Sequence, residues 1–400
     1  MKELVLQLTA EGGLLAGVPY PLAAPITMLL FGAIVVFGFV LPVAGITSWL
    51  ERRVWARIQS RVGPNRVGPQ GVLQWLADGL KNMLKEDIIP THADRPLFAL
   101  APYFVVVGFV LTFVVVPFSS TLIIADLDIG ILYITAVTGL VVVGVLMAGW
   151  ASNNKWSLLG GIRSAAQIVS YEIPAGLSIF PIVLLTGTLS MQGIIKAQGW
   201  GPWDWFLFHN PFTLAAFFIF FVAALAEGNR TPFDLPEAES ELVAGFCTEY
   251  SGMRYLLFFL AEWGNLYVIG AIVTTLFLGG WQVPAVTDNL LILTALQFGT
   301  FFLKAYFFVF LAMWVRATLP RVRVDQLMTL CWKYMVPISI VNITGTAVWM
   351  VFMPAGVSRV VPLVLTLAGG LAIVLFLRRV RFHLRRANLR AADYYYSPII

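Results

Sequence analysis

The sequence predicts an all-α, polytopic integral membrane fold, and three observations carry that prediction. Hydrophobic residues make up 59% of the 400 residues and charged ones only 12%, and the mean hydropathy is +0.84, far from the balance of a water-soluble domain. The apolar residues collect in nine runs, near 25–48, 99–118, 131–151, 168–188, 211–227, 255–280, 290–313, 334–353 and 360–378. Each approaches the roughly 20 residues a helix needs to cross about 30 Å of hydrocarbon. Lys and Arg, finally, crowd into alternate connections between those runs.

Taken in order, the first run follows a lead of residues 1–24 in which Lys2 is joined by Glu3 and Glu11; this does not read as a cleaved signal, and the lead is expected to persist on the periplasmic side. Residues 51–98 read as a cytoplasmic loop. It opens with the near-repeat Arg61-Val62-Gly63-Pro64 and Arg66-Val67-Gly68-Pro69, a system of turns. Residues 72–88 then place Val72, Trp75, Leu76, Leu80, Met83, Leu84 and Ile88 on one helical face, with Gln74, Lys81, Asn82, Lys85 and Glu86 largely opposite. A helix of that pattern lies along the interface, as an anchor, under a protein partner or as one wall of a ligand portal.

The fifth run is the shortest and ends on Glu227. The second cytoplasmic loop, 228–254, breaks the basic pattern: with Glu227 it sets Asp234, Glu237, Glu239, Glu241 and Glu249 against only Arg230 and Arg254. Asp234 and Glu237 have capping-box spacing. Glu237 and Glu241, four apart, would share a helix face and repel. Crowded, poorly solvated carboxylates can hold or pass a proton near neutrality; a solvated acidic loop or a docking surface for basic partners is the alternative.

Within the spans, Glu262 lies roughly 12 Å in from Arg254 and Lys304 roughly 15 Å in from Trp314, at 1.5 Å per residue. With Glu172 and Glu227 they occupy the cytoplasmic half, as steps from a cytoplasmic cavity toward the midplane. Ionisable groups kept inside a membrane usually serve ion or proton traffic, although a structural Glu262–Lys304 ion pair would also account for two of them. The ninth run follows a Pro354 turn and leads into a basic cytoplasmic tail, 379–400.

Orientation follows from the cations. Eight fall between Arg52 and Arg95, two at Lys155 and Arg163, two at Arg230 and Arg254, four from Arg316 to Lys333 and six from Arg378 to Arg390, which makes 22 of the 26 Lys and Arg residues. By the positive-inside rule the N-terminus is periplasmic and the C-terminus cytoplasmic. The net charge of +5 then reflects topology and anionic headgroups rather than nucleic acid. Cys247 and Cys331 cannot furnish four ligands to an iron–sulfur cluster, His92, His209 and His383 lack metal spacing, and no phosphate-binding glycine loop is present. Any electron carrier therefore sits on a partner.

Several motifs resemble the H-subunit family of NADH-quinone oxidoreductase, respiratory complex I. The first hallmark is Glu51-Arg52-Arg53, then Gly63-Pro64-Asn65-Arg66-Val67-Gly68-Pro69, then Gly71-Val72-Leu73-Gln74 running through Asp78, Lys81 and Lys85-Glu86-Asp87. The second is the unbroken stretch from Ala226-Glu227-Gly228-Asn229-Arg230 through Phe233-Asp234 to Glu241-Leu242. Ser170-Tyr171-Glu172, Thr248-Glu249-Tyr250, Ala261-Glu262, Leu278-Gly279-Gly280-Trp281 and Arg316-Ala317-Thr318 support it, and the likeness extends from about residue 25 to 335.

The resemblance implies a membrane subunit, inactive alone, of a proton-translocating enzyme in a bacterial inner membrane. It would help form a quinone cavity beneath a peripheral-arm subunit carrying the terminal iron–sulfur cluster, beside further membrane-arm subunits. Quinone would be the substrate, and FMN and the iron–sulfur clusters would belong to partners. It places Glu51, Arg52, Gln74, Asp78 and Phe233 near the quinone, and Glu172, Glu227, Glu237, Glu239, Glu241, Glu249 and Glu262 on an acidic path with Arg230 as counter-charge. Where many relatives carry an acid in the third span, this chain has Thr138-Gly139-Leu140. The corresponding subunit of a membrane-bound hydrogenase or formate-linked complex is the runner-up, and a stand-alone ion transporter a third reading.

Overall fold

The computed structural model describes residues 20–236, 238–284 and 289–391. Among them are only helices, turns and loops, and eight helices are long and apolar enough to cross a membrane. In chain order the principal helices are α1 (Pro25–Ile58), the short amphipathic α2 (Gln74–Leu84), α3 (Arg95–Thr112), α4 (Gly130–Ala151), α5 (Lys155–Thr186), α6 (Pro211–Glu227), α7 (Gly252–Phe277), α8 (Leu290–Thr318), α9 (Val324–Phe352) and α10 (Ala355–Ala391). The expected nine spans are therefore eight full-length ones and α6, which has 17 residues.

In hydrocarbon a backbone must satisfy its own hydrogen bonds, so long apolar runs become helices. Their ends are set by polar residues. Asn154 accepts from Trp156 N at 2.9 Å to start α5, and Asn210 accepts from Thr213 N at 2.6 Å to start α6, with Pro211 next in line. Gly187, at φ +66°, ends α5 in the left-handed region.

Three helices outrun their hydropathy. The first continues through Ile58, so Glu51 lies inside a helix rather than opening a loop. Helix α5 starts 13 residues before its apolar run, because Ser157, Gly160, Gly161 and Ser164 are buried against protein, not lipid. A methyl group on Gly161 would lie 3.2 Å from the Gly149 Cα of α4, the small-residue contact that lets two backbones approach. The basic stretch after residue 378 remains helical to Ala391.

Helix α7 is the hub, contacting α1, α2, α3, α6 and α8, while α9 lies on α5 and α6. Phe39 meets Phe113, Tyr267 and Phe302 edge-on beside it. By contrast α10 touches chiefly the short segments around 202–209.

Candidate functional site

The loop after α6 folds back into the bundle instead of leaving it. Gln167 of α5 donates to the carbonyls of Ala226 and Phe233, both at 2.7 Å, and Val322 N donates to Pro232 O at 2.9 Å. Asn229 takes φ +50° at the bend, a conformation asparagine tolerates. These ties bury Arg230, which is 1% exposed.

Its guanidinium donates to both oxygens of Glu51, at 2.9 and 3.1 Å, and lies 3.2 Å from Glu262. Arg316 of α8 also pairs with Glu51, and Arg321 reaches Asp234 at 3.3 Å. Three arginines thus face three carboxylates drawn from α1, α7, α8 and two loops. Buried charge persists only when matched in this way. Burial pushes the Asp234 carboxyl up from its ordinary value, against the pull of Arg321 and Arg316. Asp234 is not the helix cap its spacing suggests: the following turn, Glu239–Leu242, has no side-chain cap, and the carboxylate is committed to Arg321.

Two small cavities continue from Glu262 along the bundle. The first, about 60 Å³, is bounded by Glu262, Asn265, Thr138 and Glu227 among apolar side chains. The second, about 50 Å³, is bounded by Glu227, Asn265, Thr138 and Glu172. Since one water needs about 10–15 Å³ and two to four polar partners, each has room for water. The carboxylates of Glu51, Glu262, Glu227 and Glu172 therefore follow one another across α1, α7, α6 and α5, with Arg230 between the first two. Thr138 lines both cavities.

Other expected members stand apart. Glu241 is exposed and pairs with Arg163 at 2.7 Å. Glu249 accepts from Asn154 Nδ2 at 2.6 Å. Glu237 and the side chain of Glu239 lie outside the described residues. The expected Glu237–Glu241 pair therefore falls partly outside the described residues; the short helix there runs from Glu239 to Leu242.

Lys304 turns away from the acids. It donates to the carbonyls of Leu278 at 2.8 Å and Gly280 at 3.1 Å, with its ammonium 4.9 Å from the Trp205 ring. No Glu262–Lys304 ion pair exists, since Glu262 has Arg230 and Lys304 serves two carbonyls just past the C-terminus of α7, beside the negative end of its dipole. Those carbonyls lie roughly 24 Å along α7 from Glu262. The head of Lys304 thus reaches the opposite end of the bundle, not the same half.

A second constellation sits on the neighbouring face of α1. Arg52 meets Asp78 at 2.6 Å, and Gln74 Nε2 donates to the other Asp78 oxygen at 3.1 Å. Arg52 and Asp78 head an open groove of about 580 Å³ between α1, α2 and α7, walled by Leu41, Trp75, Leu76, Phe259 and Trp263, while Gln74 reaches it only through Asp78. Phe233 is not in this groove; it is buried, 5.8 Å from the Tyr171 ring, and its N–H donates to Arg230 O at 2.8 Å.

Sequence reasoning passed over Arg316 and Arg321 as site residues, along with Gln167 and Asn265. A polar side chain inside an apolar run was the available signal for Asn265, and one at the edge of a run for Gln167. Nothing local tells which loop cation reaches a buried acid.

Residues 31–347 match the NADH dehydrogenase family. Over 357 residues the chain is 55% identical to the H subunit of the NADH-quinone oxidoreductase of Anaeromyxobacter dehalogenans (strain 2CP-C), covering 86% of this chain and 85% of that one. The chain belongs to the H-subunit family of NADH-quinone oxidoreductase. The H subunit of Chlorobium luteolum is 47% identical over 343 residues (84% and 92% of the two chains), and that of Dehalococcoides mccartyi (strain CBDB1) 49% over 329 residues (82% and 88%). Family membership makes this chain a multi-pass membrane subunit of an oxidoreductase complex. The family match includes the whole arginine–carboxylate network and the groove and ends before α10.

Proposed function

We propose that the groove between α1, α2 and α7 admits a lipid-soluble quinone, and that the buried network beside it couples quinone reduction to proton translocation. The observation that carries this reading is the placement of two consecutive residues: Arg52 opens into the groove while Glu51 enters the Arg230 network. A quinone gains two electrons and two protons on reduction. Negative charge arriving near Arg52 in a low-dielectric site alters the balance around Glu51 and Arg230. Proton occupancy at Glu262 then responds, and the water-sized cavities extend that response to Glu227 and Glu172.

In this reading the cation-rich end faces the cytoplasm of a bacterial cell, with the N-terminus periplasmic and the C-terminus cytoplasmic. Segments 51–98 and 228–254 meet the peripheral-arm subunit bearing the terminal iron–sulfur cluster, further membrane-arm subunits lie alongside, and FMN stays with partners. Phe233 acts as a support for the Arg230 loop, not as a quinone contact.

Two variants separate the path from its surroundings. Glu227→Gln is expected to lower quinone-coupled proton translocation by about tenfold, or 1.4 kcal/mol, in a complex of normal subunit content. Glu241→Gln, at the exposed Arg163 pair, should leave it near the wild-type rate. Undiminished translocation in Glu227→Gln would refute the assignment.

A further inference from the structure

On the side of α1 opposite the Arg52 groove lies a second groove, of about 480 Å³, that the proposed chemistry does not use. At 100° per residue, Leu41, Gly45, Ser48 and Arg52 share one face of α1, and Leu50, Val54 and Arg57 share the opposite one. The floor is Leu50 and Val54, Phe310 and Trp314 of α8 form the far wall, and Arg53 and Arg57 stand at the rim. No carboxylate lines it.

The two arginines differ. Arg53 is already engaged, donating to Gln70 O at 2.8 Å and lying 5.4 Å from the Trp49 ring. Arg57 is exposed, and its guanidinium has no ion pair or hydrogen bond among the described residues.

Polarity changes along the groove in a definite direction. From Leu50 to Arg57 the helix rises about 10 Å, passing from apolar floor to unpaired cation within the last turns of α1, beside the last turns of α8. That is where a bilayer passes from hydrocarbon to headgroups. Trp314, one of the walls, also lies 5.9 Å from Phe376 of α10, and the exposed Arg378 and Arg379 follow two and three residues later. A molecule with an apolar tail and an anionic head matches this gradient. Guanidinium groups suit phosphate because their donors form a fixed fork.

We propose that this groove binds one anionic phospholipid, with an acyl chain between α1 and α8 and a phosphate on Arg57. The site is independent of the quinone reading, since it occupies the other face of α1.

The test is a lipid titration of the purified, delipidated complex, following its thermal midpoint as phosphatidylglycerol or phosphatidylcholine with identical chains is added. A ligand of the native state raises that midpoint in proportion to its affinity. Phosphatidylglycerol should act at lower concentration than phosphatidylcholine on the wild type. Arg57→Gln should need about fivefold more phosphatidylglycerol, the equivalent of about 1 kcal/mol for one cation at an anionic headgroup. Val54→Trp, which fills the groove and keeps both charges, should weaken the response as well and carries the test if Arg57→Gln fails to assemble. Equal potency of the two lipids, or an unchanged phosphatidylglycerol response in either variant, would overturn the proposal. So would loss of a partner subunit from Arg57→Gln with its lipid response intact, which would assign the surface to protein.

Discussion

Arg230 has the most constrained surroundings of any charged residue described: nearly sealed from solvent, it serves Glu51 and Glu262 together. Arg230→Met would strand carboxylates on two helices, and breaking a buried pair from one side costs about 3–5 kcal/mol. The expected outcome is a markedly lower thermal midpoint or loss of the chain from the complex. Arg230→Lys should restore little, since an ammonium lacks the planar fork that reaches two acids. Asp234 carries a pH signature. Its folded-state carboxyl binds a proton more tightly than its ordinary value of 3.8, so its contribution to stability is fully present below that value and lost as pH rises through the raised one. The thermal midpoint of the wild type should fall relative to that of Asp234→Asn as pH climbs from about 4 toward neutrality; a relative rise would contradict the burial argument. The sequence identified Arg230 as a counter-charge, yet its acidic partners lie 179 residues upstream and 32 downstream.

Among the helices, α1 does the most varied work, offering separate faces to the groove, the network and the apolar slot. Helix α2 has the stripe its spacing predicts, and Leu76, Leu80, Met83 and Leu84 are all exposed on the protein, as an interfacial helix requires. It is docked by a close approach: a methyl group on Gly45 would overlap the Trp75 ring. Gly45→Val should therefore push α2 off α1 at an overpacking cost of about 1–3 kcal/mol. On the proposed function, this raises KM for a long-chain quinone more than it lowers kcat, as steady-state assays of the assembled complex would read. An unchanged KM would separate α2 from the quinone route. The capping role that spacing suggests for Asp234 fails for a related cause. Spacing rules presume a continuing helix, whereas here the chain makes one turn from Glu239 to Leu242 and then places Val243 at φ +67°.

Across the whole molecule, carboxylates from three helices line two cavities and that of Glu51 on a fourth joins them through Arg230, although they are scattered from residue 51 to residue 262. Composition and spacing were enough for the helical membrane class, the approximate position of each span and the amphipathic stripe of α2, and the motifs carried the family resemblance. They also identified most of the acids that converge. Those features are legible because, in hydrocarbon, each helix satisfies its own backbone and each apolar run declares itself locally. The packing of the bundle was needed to reveal that Glu51 and Glu262 share Arg230, that Glu241 and Glu249 stand aside, and that Lys304 serves the far end of α7. Pairing of that kind depends on how neighbouring helices are rotated and where a loop folds back. Periodicity gives depth and facing along one helix, but it carries no record of what stands opposite.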